Sequence, residues 1–185
     1  MYRKNKRDTT KLAILIKQES KLFHTNDLAL LWGISCKNTL YTTIARYLKR
    51  GVLIPIQKGF YATTDLEQIE PVKLGIAFLH RYAYLSTETV LVEAGIISQT
   101  VPYLTLVSSV SRKFKLGNQF YFVRQMKDRF LQQTVGIVAA NGYQKATLER
   151  AVADLLYFDP YYHFDGSRLV DWEKVKQIQK EVGFK

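Results

Sequence analysis

Residues 23 to 63, FHTNDLALLWGISCKNTLYTTIARYLKRGVLIPIQKGFYAT, constrain the fold of this chain more than any other stretch. Two short amphipathic helices, a tight turn and a β-hairpin follow one another there without a gap. Leu28, Leu31 and Trp32 recur at i, i+3 and i+4, which predicts a helix with one apolar stripe, Thr25 as its N-cap and Gly33 as its stop. Ser35 is placed to cap a second helix, whose apolar positions Leu40, Ile44, Tyr47 and Leu48 cluster on one side at about 100° per residue. The opposite side carries Asn38, Thr42, Arg46 and Lys49, flanked by Lys37, Thr39 and Tyr41, residue types that contact phosphates and base edges. Gly51 closes this helix behind the basic pair Lys49-Arg50, and apolar runs on either side of Lys58-Gly59 predict a hairpin.

Two details refine the hairpin. Lysine is uncomfortable at positive φ, so a type I turn closed by Gly59 in a left-handed bulge suits Lys58-Gly59 as well as a type I′ turn. Pro55 has no amide hydrogen and belongs on an edge strand. A further helix is expected over residues 9 to 18, where Leu12, Leu15 and Ile16 follow an Asp8 or Thr9 cap. Three helices and a hairpin in this order are the layout of a winged helix-turn-helix, with the polar face of the third helix set to enter a major groove of duplex DNA.

Charge points the same way. Residues 1 to 64 hold 12 lysines and arginines against 3 acidic side chains, net +9, and residues 65 to 185 hold 15 against 13, net +2. The excess includes the arm Tyr2-Arg3-Lys4-Asn5-Lys6-Arg7, which reads either as a backbone- or minor-groove-following segment or as a solvated tail. A single cysteine, Cys36, excludes an internal disulfide and a thiolate zinc site, and it reads as an inert thiol rather than a redox sensor. There is no stretch of about 18 apolar residues and no apolar run behind the N-terminal charges, so no membrane partner is expected and the cytoplasm is the expected compartment.

The acidic, turn-like residues 64 to 71 read as a linker between a domain at 1 to 64 and a second at 72 to 185. In the second, residues 72 to 80 predict an apolar helix, and residues 86 to 95 a capped helix ending in Gly95. Residues 103 to 107, 118 to 123 and 135 to 139 predict strands. Thr147 caps one further helix, and residues 171 to 182 form a terminal amphipathic one. The fold class is therefore α+β, an N-terminal winged helix-turn-helix followed by a small α+β domain. The basic cluster Arg112, Lys113 and Lys115, with Phe114 between, falls between two predicted strands. It reads as a second surface for nucleic acid or an acidic partner, or as a solvated loop with Phe114 tucked beneath it.

No catalytic constellation emerges. Glu149 and Asp154 lie about 140° apart on one helix, and Asp171 and Glu173 point to different faces, so neither pair converges as magnesium-dependent hydrolysis requires. His24, His80 and His163 have no ligand-type neighbour at i+3 or i+4. The aromatic run from Leu156 to Phe164 reads as core or lid. The expectation is a binding protein, not an enzyme, with no metal and no cofactor.

The chain resembles the AbiEi-type antitoxins of type IV toxin-antitoxin systems, predicted regulators of viral defence. The resemblance runs over nearly the whole chain. It is carried by YLKRGVL at 47 to 53, KGFY at 58 to 61, YLSTETVL at 84 to 91 and TLERAVADL at 147 to 155, in their order and spacing. Where the family has a SALxxHG-like helix, this chain reads TVLVEAG at 89 to 95. The resemblance implies a repressor that binds operator repeats upstream of its own operon and a C-terminal domain that counters a nucleotidyltransferase-like toxin, with the manner of neutralisation open. The alternative is a stand-alone winged-helix regulator whose second domain senses a ligand or dimerises.

Overall fold

The computed structural model describes residues 6–184, with side chains from residue 10 onward, so the expected arm at residues 2 to 7 lies outside the described side chains. The chain divides into two compact units, Met1–Glu70 and Pro71–Lys185.

In the first unit α1 (Lys6–Ile16), β1 (Leu22–His24), α2 (Thr25–Trp32), α3 (Lys37–Lys49), β2 (Ile54–Gln57) and β3 (Phe60–Ala62) follow in sequence. The strands form an antiparallel sheet in the order β1-β3-β2. Leu15, Phe23, Leu28, Trp32, Leu40, Ile44, Tyr47, Leu53 and Tyr61 form one buried cluster, with the Trp32 and Tyr47 rings 5.2 Å apart. Each such side chain contributes roughly 1.5–3 kcal/mol on leaving water, which is what holds helices of 8 to 13 residues in place.

Several expected boundaries shift. α1 starts at Lys6, ahead of the expected Asp8 or Thr9 cap. Thr25 is the first residue of α2 and not its cap: the Asp27 carboxylate accepts from the His24 amide at 2.7 Å, so the third helical residue reaches back over the turn. Cys36, not Ser35, occupies the cap position of α3. Gly33, in the left-handed region at φ 61, ends α2 where the sequence puts it. β1 has no counterpart in the sequence reading; three residues are too few for periodicity to register.

In the second unit α4 (Pro71–Leu79), β4 (Ala83–Leu85), α5 (Glu88–Glu93), β5 (Tyr103–Ser108), β6 (Arg112–Leu116), β7 (Gln119–Gln125), α6 (Asp128–Leu131), β8 (Ile137–Ala140), β9 (Tyr143–Ala146), α7 (Leu148–Phe158) and α8 (Trp172–Val182) build a mixed sheet ordered β6-β7-β5-β4-β9-β8. β4–β9 and β5–β7 are parallel, and the other neighbours antiparallel. α4 covers one face, with Phe78 4.7 Å from Phe114 and the Tyr121 hydroxyl donating to the Pro71 carbonyl at 2.8 Å. Side chains alternate between faces along a strand, so Tyr84, Thr105 and Val107 point to the other face, where α5 and α7 pack. The molecule is thus a mixed α+β protein. Among the described residues no helix is long and apolar enough to cross a membrane.

Candidate nucleic-acid interface

α3 presents two unlike sides. Leu40, Thr43, Ile44 and Tyr47 are buried, and Lys37, Asn38, Thr39, Tyr41, Thr42, Arg46 and Lys49 are all exposed. The helix contains no carboxylate; of its basic residues Lys37 opens it, and Arg46 and Lys49 lie in the last turn, where the helix dipole favours positive charge. Tyr41 is 56% exposed, an aromatic ring in water with no core to fill. The Thr42 hydroxyl donates to the Asn38 carbonyl at 2.7 Å, which fixes its rotamer and leaves its oxygen free to accept on the outer surface. Arg50 lies over the Tyr47 ring, 5.5 Å from its centroid.

The hairpin next to this helix is tightly built. Gln57 faces Phe60, so Lys58 and Gly59 alone make the turn, and only Gly59 has positive φ, at 79. That excludes the type I′ alternative, which needs both central residues there. The Thr25 amide donates to the Gly59 carbonyl at 2.9 Å, and the Thr25 hydroxyl at 3.3 Å, so the turn is tied to the first turn of α2 and Lys58 stands exposed on an anchored loop. Pro55 lies in β2, an edge strand, where a missing donor has no consequence.

Cys36 is exposed, and amide and hydroxyl donors of Thr39 and the amide of Asn38 hold its thiol below the ordinary range.

The cluster Arg112, Lys113 and Lys115 is neither a loop nor a single surface. It forms the edge strand β6, and alternation divides it. Arg112 stands on the α4 side, its guanidinium 4.8 Å from the Phe78 centroid and 5.7 Å from that of Phe114. Lys113 and Lys115 stand on the other side, 4.8 Å over the Phe122 ring and 4.7 Å over Phe120. Nothing in the spacing shows which rings face which cations until β6 is paired with β7.

The sequence reading also missed a buried network. Arg150 and Asp154, both fully buried, pair at 2.8 Å one turn apart on α7. Asp154 further accepts from Ser86 at 2.7 Å and Tyr84 at 3.0 Å, while Arg150 donates to the carbonyls of Gln133 and Val135 at 2.9 and 2.7 Å. Ser86 therefore serves α7 and does not cap α5; the cap position is Thr87, strained at φ 53 and ψ −132. Burial raises the Asp154 carboxyl, opposed by the Arg150 charge and the hydroxyl donors. Glu149 turns instead to Lys174 at 3.1 Å. Among the described residues no three His, Cys, Asp or Glu side chains stand close enough to share a metal ion.

No family model and no curated protein matches this chain. Among solved structures, the chain is similar to the crystal structure of the RV2827C protein from Mycobacterium tuberculosis. The TM-score is 0.55 and the identity 10%, over 97% of this chain and 73% of that one. At that identity the likeness concerns the fold.

Proposed function

We propose that the first unit is a winged helix-turn-helix that reads duplex DNA, with α3 in the major groove and the Lys58 turn against the backbone. The observation that carries this reading is the exposed face of α3, which offers lysine, arginine, asparagine, threonine and tyrosine and no carboxylate. Together with the resemblance to AbiEi-type antitoxins, it supports a cytoplasmic antitoxin and autorepressor. In that role the chain binds operator repeats through the first unit and counters a nucleotidyltransferase-like toxin through the second. It needs no catalytic group, metal or cofactor of its own.

The test is a titration of the full chain against DNA from upstream of its gene. With Lys37, Arg46, Lys49, Arg50 and Lys58 each on a phosphate, log affinity falls against log salt with a slope of roughly −4 to −5. Asn38→Ala and Thr42→Ala each narrow the gap between operator and random duplex by about 1–3 kcal/mol, and Lys58→Ala weakens both duplexes alike. Binding that is insensitive to salt and to all of these changes would refute the reading.

A further inference from the structure

The face of the second unit that α5 and α7 leave uncovered carries an organised surface. Register places Lys113 directly across from Phe122 and Lys115 across from Phe120, and in the next strand Tyr103 pairs with Phe120. All five side chains fall on one face, because cross-strand partners share it. Phe120 is 50% exposed, far more than a residue packed for stability requires. Tyr103 meets Phe122 edge-on with centroids 5.7 Å apart, which holds both rings in a set orientation. On the inner side Arg124 lies 4.8 Å from the Phe122 centroid and is paired with Glu88. A groove of about 500 Å³ runs over this surface, lined among others by Pro102, Tyr103, Lys113, Lys115, Phe120 and Phe122, with no acidic side chain in its wall.

We propose that the β6–β7 face is a binding platform for single-stranded nucleic acid, distinct from the duplex-reading face of α3. Same-face positions i and i+2 on one strand lie about 6.7 Å apart along the backbone, twice the rise of stacked bases, a spacing that suits an extended strand laying one base on each ring. Each ring has an ammonium within reach of the phosphate that such a base would bring. The ammonium now over the ring leaves it when a base arrives, and the exchange is favourable. A base stacked on an aromatic side chain gains more than an exposed lysine loses on leaving one, and the lysine then meets a phosphate. Lysines on an edge strand also discourage strand-to-strand aggregation, but that role does not call for a half-exposed phenylalanine beside them. An acidic protein partner would use the lysines and leave the rings without a function.

The experiment is fluorescence anisotropy of labelled 12-nucleotide dT and rU strands with the full chain. The chain carries Lys37→Gln, Arg46→Gln and Lys49→Gln, so that α3 contributes little. Both strands should bind, and the tighter of the two identifies DNA or RNA as the ligand. Phe120→Ala should weaken binding about tenfold. Phe120→Leu, which keeps the apolar volume and removes the ring, should weaken it nearly as much in a chain of unchanged melting temperature. Lys113→Gln with Lys115→Gln should reduce the salt slope by about 1.4, as two phosphates on a single strand require. Absence of single-strand binding overturns the proposal. So does binding that Phe120→Leu leaves untouched. Displacement of the strand by polyglutamate at equal charge, with no effect of either Phe120 change, overturns it in favour of an acidic-partner surface.

Discussion

Asp154 has no exposed surface, and its two oxygens are shared among Arg150, Tyr84 and Ser86. The consequences of removing either charge are unequal. Asp154→Asn strands a guanidinium that cannot shed its charge in the interior, and the chain should lose about 3–5 kcal/mol of stability in a urea titration. Arg150→Met leaves a carboxyl that burial already pushes upward and that can take a proton instead. A raised folded-state pKa means that the folded protein holds this proton more tightly than the unfolded one. The stability of Arg150→Met is therefore greatest below the ordinary carboxyl range and declines as pH rises through and above it; a variant equally stable at pH 5 and pH 8 would contradict the assignment. Cys36 gives a second residue-level expectation. Its thiolate accepts donors at the start of α3, so iodoacetamide alkylation should reach its half-maximal rate below the pH of a free thiol, and Thr39→Val should move that midpoint upward.

Among elements, the contact of α4 with the sheet depends on Gly75. A Cβ there would lie 2.4 Å from Cε1 of Tyr121, and that ring is stacked on Phe114 at 4.8 Å and tethered by its hydroxyl to Pro71. Because the ring cannot swing aside, Gly75→Ala should destabilise the chain by about 1–3 kcal/mol, read as a lower urea midpoint. The hairpins show how far local sequence reaches. Lys58-Gly59 was legible from two apolar runs around a glycine. Asn141 and Gly142, at φ 51 and 82, form the two-residue turn between β8 and β9; Asn-Gly is a strong hairpin signal, so β9, which the three expected strands leave out, was readable from its turn. β6 is a different case. Arg-Lys-Phe-Lys is too polar to read as a strand, and it becomes one by pairing with β7 through a turn led by Gly117 at φ 56.

For the whole molecule, packing draws the boundary between the units after Glu70 and redistributes the charge. With the division at Glu70, the acids Asp65, Glu67 and Glu70 fall in the first unit. The first unit then has 12 basic and 6 acidic residues and the second 15 and 10, so both carry a clear positive excess. The proposed division of labour therefore rests on surfaces and not on net charge. Arg46→Ala with Lys49→Ala should relieve repression of an operator-driven reporter while growth is still protected when the adjacent open reading frame is co-expressed; loss of both activities together would place them on one surface. Whatever depends on neighbours a few residues apart is legible along the chain. The apolar stripes of α2 and α3, the amphipathic α8, the Gly33 stop, the Thr147 cap and the edge-bound Pro55 all follow from periodicity and backbone chemistry; the Asp171 cap of α8 does not appear in that reading. Which polar residues meet across the fold is fixed by long-range packing alone. Arg150 with Asp154, Tyr84 and Ser86, and Lys113 with Phe122, are set by sheet register and helix docking, and strand partners distant in sequence leave no periodic trace in either segment alone.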